Sequence, residues 1–595
     1  MTSDRTPMHR VDRPANYDPH PHVAVGAQVE CSVGWDAIAE RLREVDGQVL
    51  VIEAYPGVYP DDLVALADTL GVGTVFRAAD ALLSAERIEA LVRPELTDDA
   101  IFGRLTSLEM DDFFDPSRVA KLRDAVEEAS TRGRVAVIGT GSSLITDGDI
   151  VVLADMPRWE LQLRQRRGEV TSIGTDDRDL KPSLQYKRGY FVDWRVADRL
   201  KGKLFARLDF VLDTTVAGEP KMIAAEAMHR GLELAAHQPF RVVPFFDPGP
   251  WGGQWIKKVC DLDPDVINYA WAFDCVPEEN SLLLGFGPLR FALPAINLVH
   301  QQPEALLGVP VYERFGAEFP IRFDFLDTMG GGNLSLQVHP VTEYMREHFG
   351  HGFTQDESYY MLDAEPGEST VYLGVRDGVD QDEMRAALQA AQTGGEPFDA
   401  ERYANRFPAQ RHDHFLIPAG TVHSAGSGGM VLEISATPYI FTFKLWDWGR
   451  LDLDGLPRPI NIDRGLDNMA WDRDATYAQR ALINDVTPLG QGEGWRAERT
   501  GLHEAEFIDT HRHWFTGMVE HDTGFGVNVL NLVQGEEAVV SSPDDAFVPF
   551  VVHYAETFIV PAAVGRYTIA PHGRAVGTEC ATLKAFVRGT QRSET

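Results

Sequence analysis

Around residue 240 this chain changes its periodicity. Before it, apolar runs of strand length alternate with amphipathic helices. Gln48–Ala54 (QVLVIEA) reads as a buried strand, and Pro60–Leu70 as a helix after a Pro/Gly turn. Pro116–Arg132 reads as an amphipathic helix, Arg134–Gly139 and Asp149–Ala154 as two further buried strands, and Arg158–Arg167 as a helix. That alternation predicts an α/β domain built on a mostly parallel sheet. After residue 240, glycine, proline and aromatics become dense and the apolar runs shorten to Ser369–Gly374, His414–Ile417, Gly429–Ile434 and Ile440–Leu445. Short strands between frequent turns predict antiparallel barrels. A helix over Asp380–Gln392 interrupts the first of them, and a second strand-rich block runs from about 495 to 590. Both blocks contain a strand, a Pro-Ala-small turn and a second strand, at Ile417–Ser424 (IPAGTVHS) and at Ile559–Ile569 (IVPAAVGRYTI).

The expected fold class is therefore multidomain: an N-terminal α/β parallel-sheet domain followed by two mainly antiparallel β-barrel domains with a small helical insert. A chain of 595 residues is too long for one core. The expected boundaries are a flexible or loosely docked arm over residues 1–28, an α/β domain over 29–235, a barrel over 236–460 with its insert at about 378–410, and a second barrel over 461–595. Ninety acidic residues against 55 basic ones give a net charge of −35. Such a surface repels polyanions, which predicts no nucleic-acid partner and no anionic membrane partner. A phosphorylated metabolite stays open, because its pocket needs only a few local cations. The four cysteines, Cys31, Cys260, Cys275 and Cys580, form no CxxC pair, which points to reduced thiols in a cytoplasmic protein. The N-terminal stretch lacks the apolar segment of a secretion signal, and no run of about 18 apolar residues predicts a membrane span. Nothing in the sequence sets the oligomeric state.

The most informative stretch is Gly330–Asp363 (GGGNLSLQVHPVTEYMREHFGHGFTQDESYYMLD). Gln337 and His339 are two apart, so on a strand they face the same side. Glu357 precedes the next apolar strand, and His423 follows a Pro-Ala-Gly turn at a strand start. Two imidazoles, one carboxylate and one amide oxygen suit a divalent metal with room left for substrate. Zinc fits this set best, with Mn, Fe or Co as alternatives.

QVHP, a Glu before an aromatic-rich strand, IPAGTVHS, an EI strand and DWGR together resemble the signature of class I mannose-6-phosphate isomerases, the zinc-dependent, cupin-type family. The resemblance covers about residues 240–590 and takes in Phe246–Gly253 (FDPGPWGG) and Phe319–Asp327 (FPIRFDFLD). It implies two cupin barrels, one zinc ion held by Gln337, His339, Glu357 and His423, and interconversion of mannose 6-phosphate and fructose 6-phosphate. It also implies catalytic roles in the substrate shell for Glu433, Lys444 and Arg450, with Glu433 as base or pocket-lining acid. The chain departs from the family at two cations. Gln355 stands where the family has Lys two residues before the ligand Glu, and Lys444 stands in place of an Arg, which is not its equivalent at a bidentate site. Arg322, Arg450 and Arg458 are available to compensate. An intact metal set with a remodelled shell implies a sugar-phosphate isomerase, one of altered specificity, or a non-catalytic metal-containing protein that binds a sugar phosphate.

In the second barrel, His511 and His513 share a strand face with His521 and His553 nearby, but no Glu-then-His completion follows, so they read as structural. In the N-terminal domain, Ile52–Leu63 has the position of a phosphate-binding loop but lacks GK[ST]. Gly139–Ser143 (GTGSS) and the arginines Arg164, Arg166 and Arg167 are candidate anion binders. This region resembles a degenerate P-loop nucleoside-kinase domain, from which no phosphoryl transfer is predicted.

Overall fold

The computed structural model describes residues 16–26, 30–438, 440–451, 460–503 and 506–591. The N-terminal sheet has seven strands, in the order Thr74–Arg77, Val135–Gly139, Val49–Ala54, Ile150–Asp155, Phe210–Asp213, Lys221–Ala224 and Cys31–Val33. The first five are parallel; Lys221–Ala224 runs antiparallel to them, and Cys31–Val33 antiparallel to Lys221–Ala224. The central strand is apolar on both faces because helices cover both, and Leu50, Val51 and Ile52 are fully buried. The following helix, Pro60–Leu70, starts with proline in its first turn and ends at Gly71, whose φ of 72° suits a residue without a Cβ. The chain order of the strands reverses beside Val49–Ala54, the usual place for a ligand in such a sheet.

Both expected anion positions at that place are filled by the protein itself. The Glu53 carboxylate accepts the Gly141 N–H at 2.6 Å, the Ser143 N–H at 2.9 Å and the Ser142 hydroxyl at 3.3 Å, so it sits where an anion would sit on GTGSS. Arg164 is fully buried; it donates to the carbonyls of Gly57 (2.9 Å) and Thr214 (2.5 Å) and pairs with Glu160 at 3.0 Å. Arg166 makes two bonds to Asp247, and Arg167 pairs with Glu160 and Glu169. The three arginines that the sequence offered to an anion are thus engaged by internal acceptors. The cavity left between Glu53, Tyr55, Thr140 and Lys201 is about 10 Å³, enough for one water. Glu53→Ala is expected to leave two backbone donors inside the protein without an acceptor. At about 1–3 kcal/mol for a stranded group, this loss is to be read by urea denaturation.

The C-terminal two-thirds carries antiparallel sheets packed in pairs. In the first pair, six strands run in the order His414–Ile417, Glu357–Ala364, Gly429–Ala436, Ile321–Asp327, Trp271–Cys275 and Phe245–Asp247. They face five strands in the order Ala404–Pro408, Thr370–Val375, His423–Ala425, Leu336–Val338 and Phe443–Trp446. Tyr359, Phe415 and Val431 from one sheet share a core with Val371, Leu373 and Ala425 from the other. The second pair has six and four strands, whose core joins Phe515, Leu530 and Phe558 to Val540, Tyr567 and Ile569. The expected helical insert is present as Gln381–Gln392 and Ala400–Tyr403, but its last residues, Ala404–Pro408, form an edge strand of the first barrel.

One expected boundary needs correction. Residues 461–484 were assigned by sequence to the second barrel. Instead, Asn461 N–H donates to the Lys444 carbonyl, Leu416 N–H to the Leu482 carbonyl, and Asn468 Oδ1 accepts from Val341 N–H. The helices Ile462–Asn468 and Ala475–Ala481 pack on the first barrel because their apolar faces complete its outer layer. The N-terminal arm is docked over its described residues 16–26. Val23–Ala24 pairs in parallel with Leu284–Gly285, and Tyr17 is buried under Arg241 and hydrogen-bonded to Asp274. The partners of this polar segment are buried charges: Arg241 also pairs with Glu556 at 2.7 Å. Residues 1–15 lie outside the described residues.

Candidate metal centre

The first barrel brings the expected ligand types to one point between its two sheets. In the five-stranded sheet, Gln337 is paired in register with His423 on one side and Lys444 on the other. His339 leaves the end of the Gln337 strand, and Glu357 opens a strand of the facing sheet. Gln337 is 7% exposed, His339 1%, and Glu357 and His423 are fully buried. Among the described residues, His339, Glu357 and His423 are the one group of three or more whose donor atoms converge, all within 4.8 Å of one another.

The protonation pattern of this group favours a cation. His339 Nδ1 lies 3.0 Å from the Phe441 carbonyl and His423 Nδ1 lies 2.8 Å from the Thr421 carbonyl. A carbonyl only accepts, so each Nδ1 carries the proton and each Nε2 keeps a lone pair. Those lone pairs face the Glu357 oxygens at 3.0 Å and 2.9 Å. Two acceptors held this close in a dry interior repel one another until a proton or a metal ion joins them. His339 Nε2 and Glu357 Oε1 also lack a hydrogen-bond donor. Gln337 Nε2 lies 3.2 Å from His423 Nε2, and Ser335 Oγ donates to Gln337 Oε1 at 2.9 Å. A turned amide would present its oxygen to the same space, since a serine hydroxyl serves as donor or acceptor. The donor set therefore fits a divalent metal.

The inner face of the six-stranded sheet carries a second polar layer beside the triad. Glu357, Ser435 and Arg322 lie in one register row, and Tyr359, Glu433 and Asp324 in the next. Arg322 pairs with Asp324 at 2.9 Å and with Glu433 Oε1, which also accepts from Ser435 Oγ at 2.9 Å. Burial raises the Glu433 carboxyl well above its usual range; the Glu357 charge adds to this and Arg322 opposes it. Burial likewise pushes Asp324 up to about 7, against the attraction of Arg322. Gln355, standing where the resemblance calls for Lys, donates from Nε2 to Glu357 Oε2 at 3.3 Å.

The other sequence candidates are divided. Lys444 is half-buried on the strand beside Gln337. Arg450 pairs with Asp447 at 2.6 Å in the turn after that strand and lies against Gly332, so its described contacts tie it to the turn rather than to the triad. Arg458 lies outside the described residues. Asp324, Tyr359 and Ser435 were not singled out by sequence. The available signal was Arg322 and Asp324 at alternate positions of an otherwise apolar strand, IRFDFLD, which places two charges on one buried face. In the second barrel, His513 and His521 meet edge-on at 4.6 Å between ring centroids and are buried.

Comparison with known proteins adds two separate findings. Residues 34–237 match the model of a domain of unknown function, DUF8485. The chain is also similar to proteins named mannose-6-phosphate isomerases. One from Streptococcus mutans is 26% identical over 219 residues, which is 36% of this chain and 63% of that protein. The chain thus spans somewhat less than two-thirds of that relative. The probable mannose-6-phosphate isomerase GmuF of Bacillus subtilis is 24% identical over 333 residues, 56% of this chain and 96% of its own length. A solved mannose 6-phosphate isomerase from Bacillus subtilis superposes with a TM-score of 0.48 at 18% identity, covering 58% of this chain and 99% of that one. Among the described residues, no helix is long and apolar enough to cross a membrane.

Proposed function

We propose that this protein interconverts the aldose and ketose forms of a sugar phosphate, with mannose 6-phosphate and fructose 6-phosphate as the pair, at a zinc site held by Gln337, His339, Glu357 and His423. The observation that carries the reading is the convergence of the His339–Glu357–His423 triad, between the two sheets, with a second layer containing Glu433 and Arg322 on the sheet that supplies Glu357. The similarity to named isomerases supports it. The metal would supply polarisation of the substrate carbonyl and stabilisation of the oxyanion that develops on it.

The chain's own groups divide the remaining work. An isomerase must move a proton between neighbouring carbons, which requires a carboxylate whose affinity for protons is raised. Glu433 is that group in our reading. Its described bonds, from Arg322 and Ser435, both fall on Oε1, which leaves Oε2 to take and return the proton. Arg322 and Ser435 act as positioning residues by fixing the carboxylate plane. Lys444, beside Gln337, holds the phosphate as a point charge. We assign Arg450 to the turn through Asp447. Gln355 keeps a hydrogen bond to Glu357 without adding a charge, which shifts the task of anion recognition to Lys444.

The test is a coupled isomerase assay with mannose 6-phosphate on protein of measured metal content, beside Glu433→Gln. Wild type should turn over. The variant should keep its metal and lose about 10²–10⁴-fold in kcat, the usual worth of a general base. Metal-loaded wild type without turnover would exclude this sugar. A panel of other aldose phosphates then separates altered specificity from a binding role.

A further inference from the structure

We propose that the N-terminal module positions a ligand of the metal centre: Phe102 grips the ring of Phe441, whose backbone carbonyl fixes His339. This rests on the metal reading above. It gives a role to a module whose own anion-binding donors are taken up by Glu53, Glu160 and backbone carbonyls.

Phe102 belongs to the N-terminal module but is buried, 1% exposed, among aromatics of the first barrel. Its ring lies 6.0 Å from Phe441 at 14°, 5.2 Å from Phe443 at 87° and 5.5 Å from Phe349 at 45°. Phe191 and Tyr190, also from the N-terminal module, meet Phe441 edge-on at 6.0 Å and 6.4 Å. Phe441 is thus held from two sides, by these three rings of the N-terminal module and by Phe349 (4.7 Å) and His351 (6.4 Å) of its own barrel. Its carbonyl accepts the Nδ1 proton of His339 at 3.0 Å, which turns Nε2 toward Glu357. The partner on the far nitrogen of a ligand imidazole sets its tautomer and direction, and such partners are worth about 10–100-fold in metal affinity.

The segment that carries Phe102 is built to hold its place. The Asp99 carboxylate accepts the N–H groups of Ile101 and Phe102 at 2.8 Å each and pairs with Arg464 of the first barrel at 3.1 Å. Leu105 N–H donates to the Phe349 carbonyl at 3.2 Å, and Thr106 N–H to the Phe191 carbonyl at 3.0 Å. At Gly103 a Cβ would lie 2.5 Å from the Glu95 carbonyl oxygen, so the backbone approaches as closely as glycine permits. A mobile tether between modules would need none of these restraints.

The test measures zinc affinity by competition with a chelator on the full chain, for wild type, Phe102→Ala, Phe102→Leu and Val126→Ala. Val126 is equally buried, on a helix of the N-terminal module, and has no part in the clamp. Phe102→Ala should bind zinc about 10–100-fold more weakly. Phe102→Leu, which keeps volume without the stacked ring, should lose only a few-fold, and Val126→Ala should match wild type. If Phe102→Ala does not fold, Phe102→Leu against Val126→Ala decides the matter by the same comparison. Wild-type affinity in the Phe102 variants, or an equal loss in Val126→Ala, overturns the proposal. Failure of wild type to bind zinc would instead overturn the metal reading on which it stands.

Discussion

His339→Ala is expected to lose its bound metal and, with it, any turnover. Removing only the partner of a metal-bound histidine costs about 10–100-fold in affinity, so removing the imidazole itself should cost more than 100-fold. The reason lies in the geometry of the triad. Glu357 is fully buried, and its two oxygens are divided between His339 and His423 at 3.0 Å and 2.9 Å. Without His339 one oxygen faces an empty space, and the remaining donors cannot close around an ion. The same loss has a thermodynamic signature. A ligand that binds only the native state stabilises it by about 2.7 kcal/mol at a concentration 100 times its dissociation constant. Wild type should therefore melt at a higher temperature when zinc is added, and His339→Ala should melt at the same temperature with and without it. Metal analysis of the purified proteins reads the first effect, and thermal melts with zinc and with chelator read the second. A variant that retains stoichiometric metal would remove His339 from the ligand set.

Arg322→Ala should be the most destabilising single change near the site, by about 3–5 kcal/mol, the range seen when one member of a buried ion pair is removed. Arg322 is 4% exposed and lies among three carboxylates, bonded to Asp324 and Glu433 and attracted by Glu357. Its removal leaves Asp324 and Glu433 stacked in one register row with no cation between them. The dependence on pH then follows. Both carboxyls already have folded-state affinities for protons above their usual values, and loss of Arg322 raises them further. A carboxyl whose folded pKa lies above its unfolded one binds protons more tightly in the native state, so stability falls as pH rises and returns as pH drops. With Asp324 already at about 7 beside Arg322, the variant should be markedly less stable than wild type at pH 8 and approach it toward pH 5. Urea denaturation of both proteins across that range measures the gap. A gap that widens on acidification would mean that the carboxylates, not the arginine, dominate the layer.

The residues proposed as metal ligands stand out in the sequence because each sits in a local pattern with a physical reason. Gln337 and His339 alternate on a strand, Glu357 opens an apolar strand, and His423 follows a turn that ends a strand hairpin. The polar layer behind them was harder to see. Arg322, Asp324, Tyr359 and Ser435 come from three strands that are neighbours only in the sheet, and register alone places them in two rows. The N-terminal arginines show the opposite failure. A run such as RQRR looks like an anion site, yet three of the acceptors that consume it, Gly57, Thr214 and Asp247, lie far along the chain, and only Glu160 is a neighbour, one turn earlier on the same helix.

What the sequence by itself determined is the order of architectures and the identity of the convergent donors. Alternation with a period of two or of 3.6 is a local property, and a strand either can or cannot face a core. Where each module ends, and what the N-terminal module does for the barrel, was decided only by tertiary structure. Helices Ile462–Asn468 and Ala475–Ala481 joined the first barrel because its outer layer was incomplete, and the polar arm docked because Asp274, Glu556 and Arg241 offered buried partners. Phe102 meets Phe441 across 339 positions of sequence, through ring packing that carries no sequence period at all. Contacts of this kind depend on which surfaces remain uncovered once every local element has formed, and that is a property of the whole molecule.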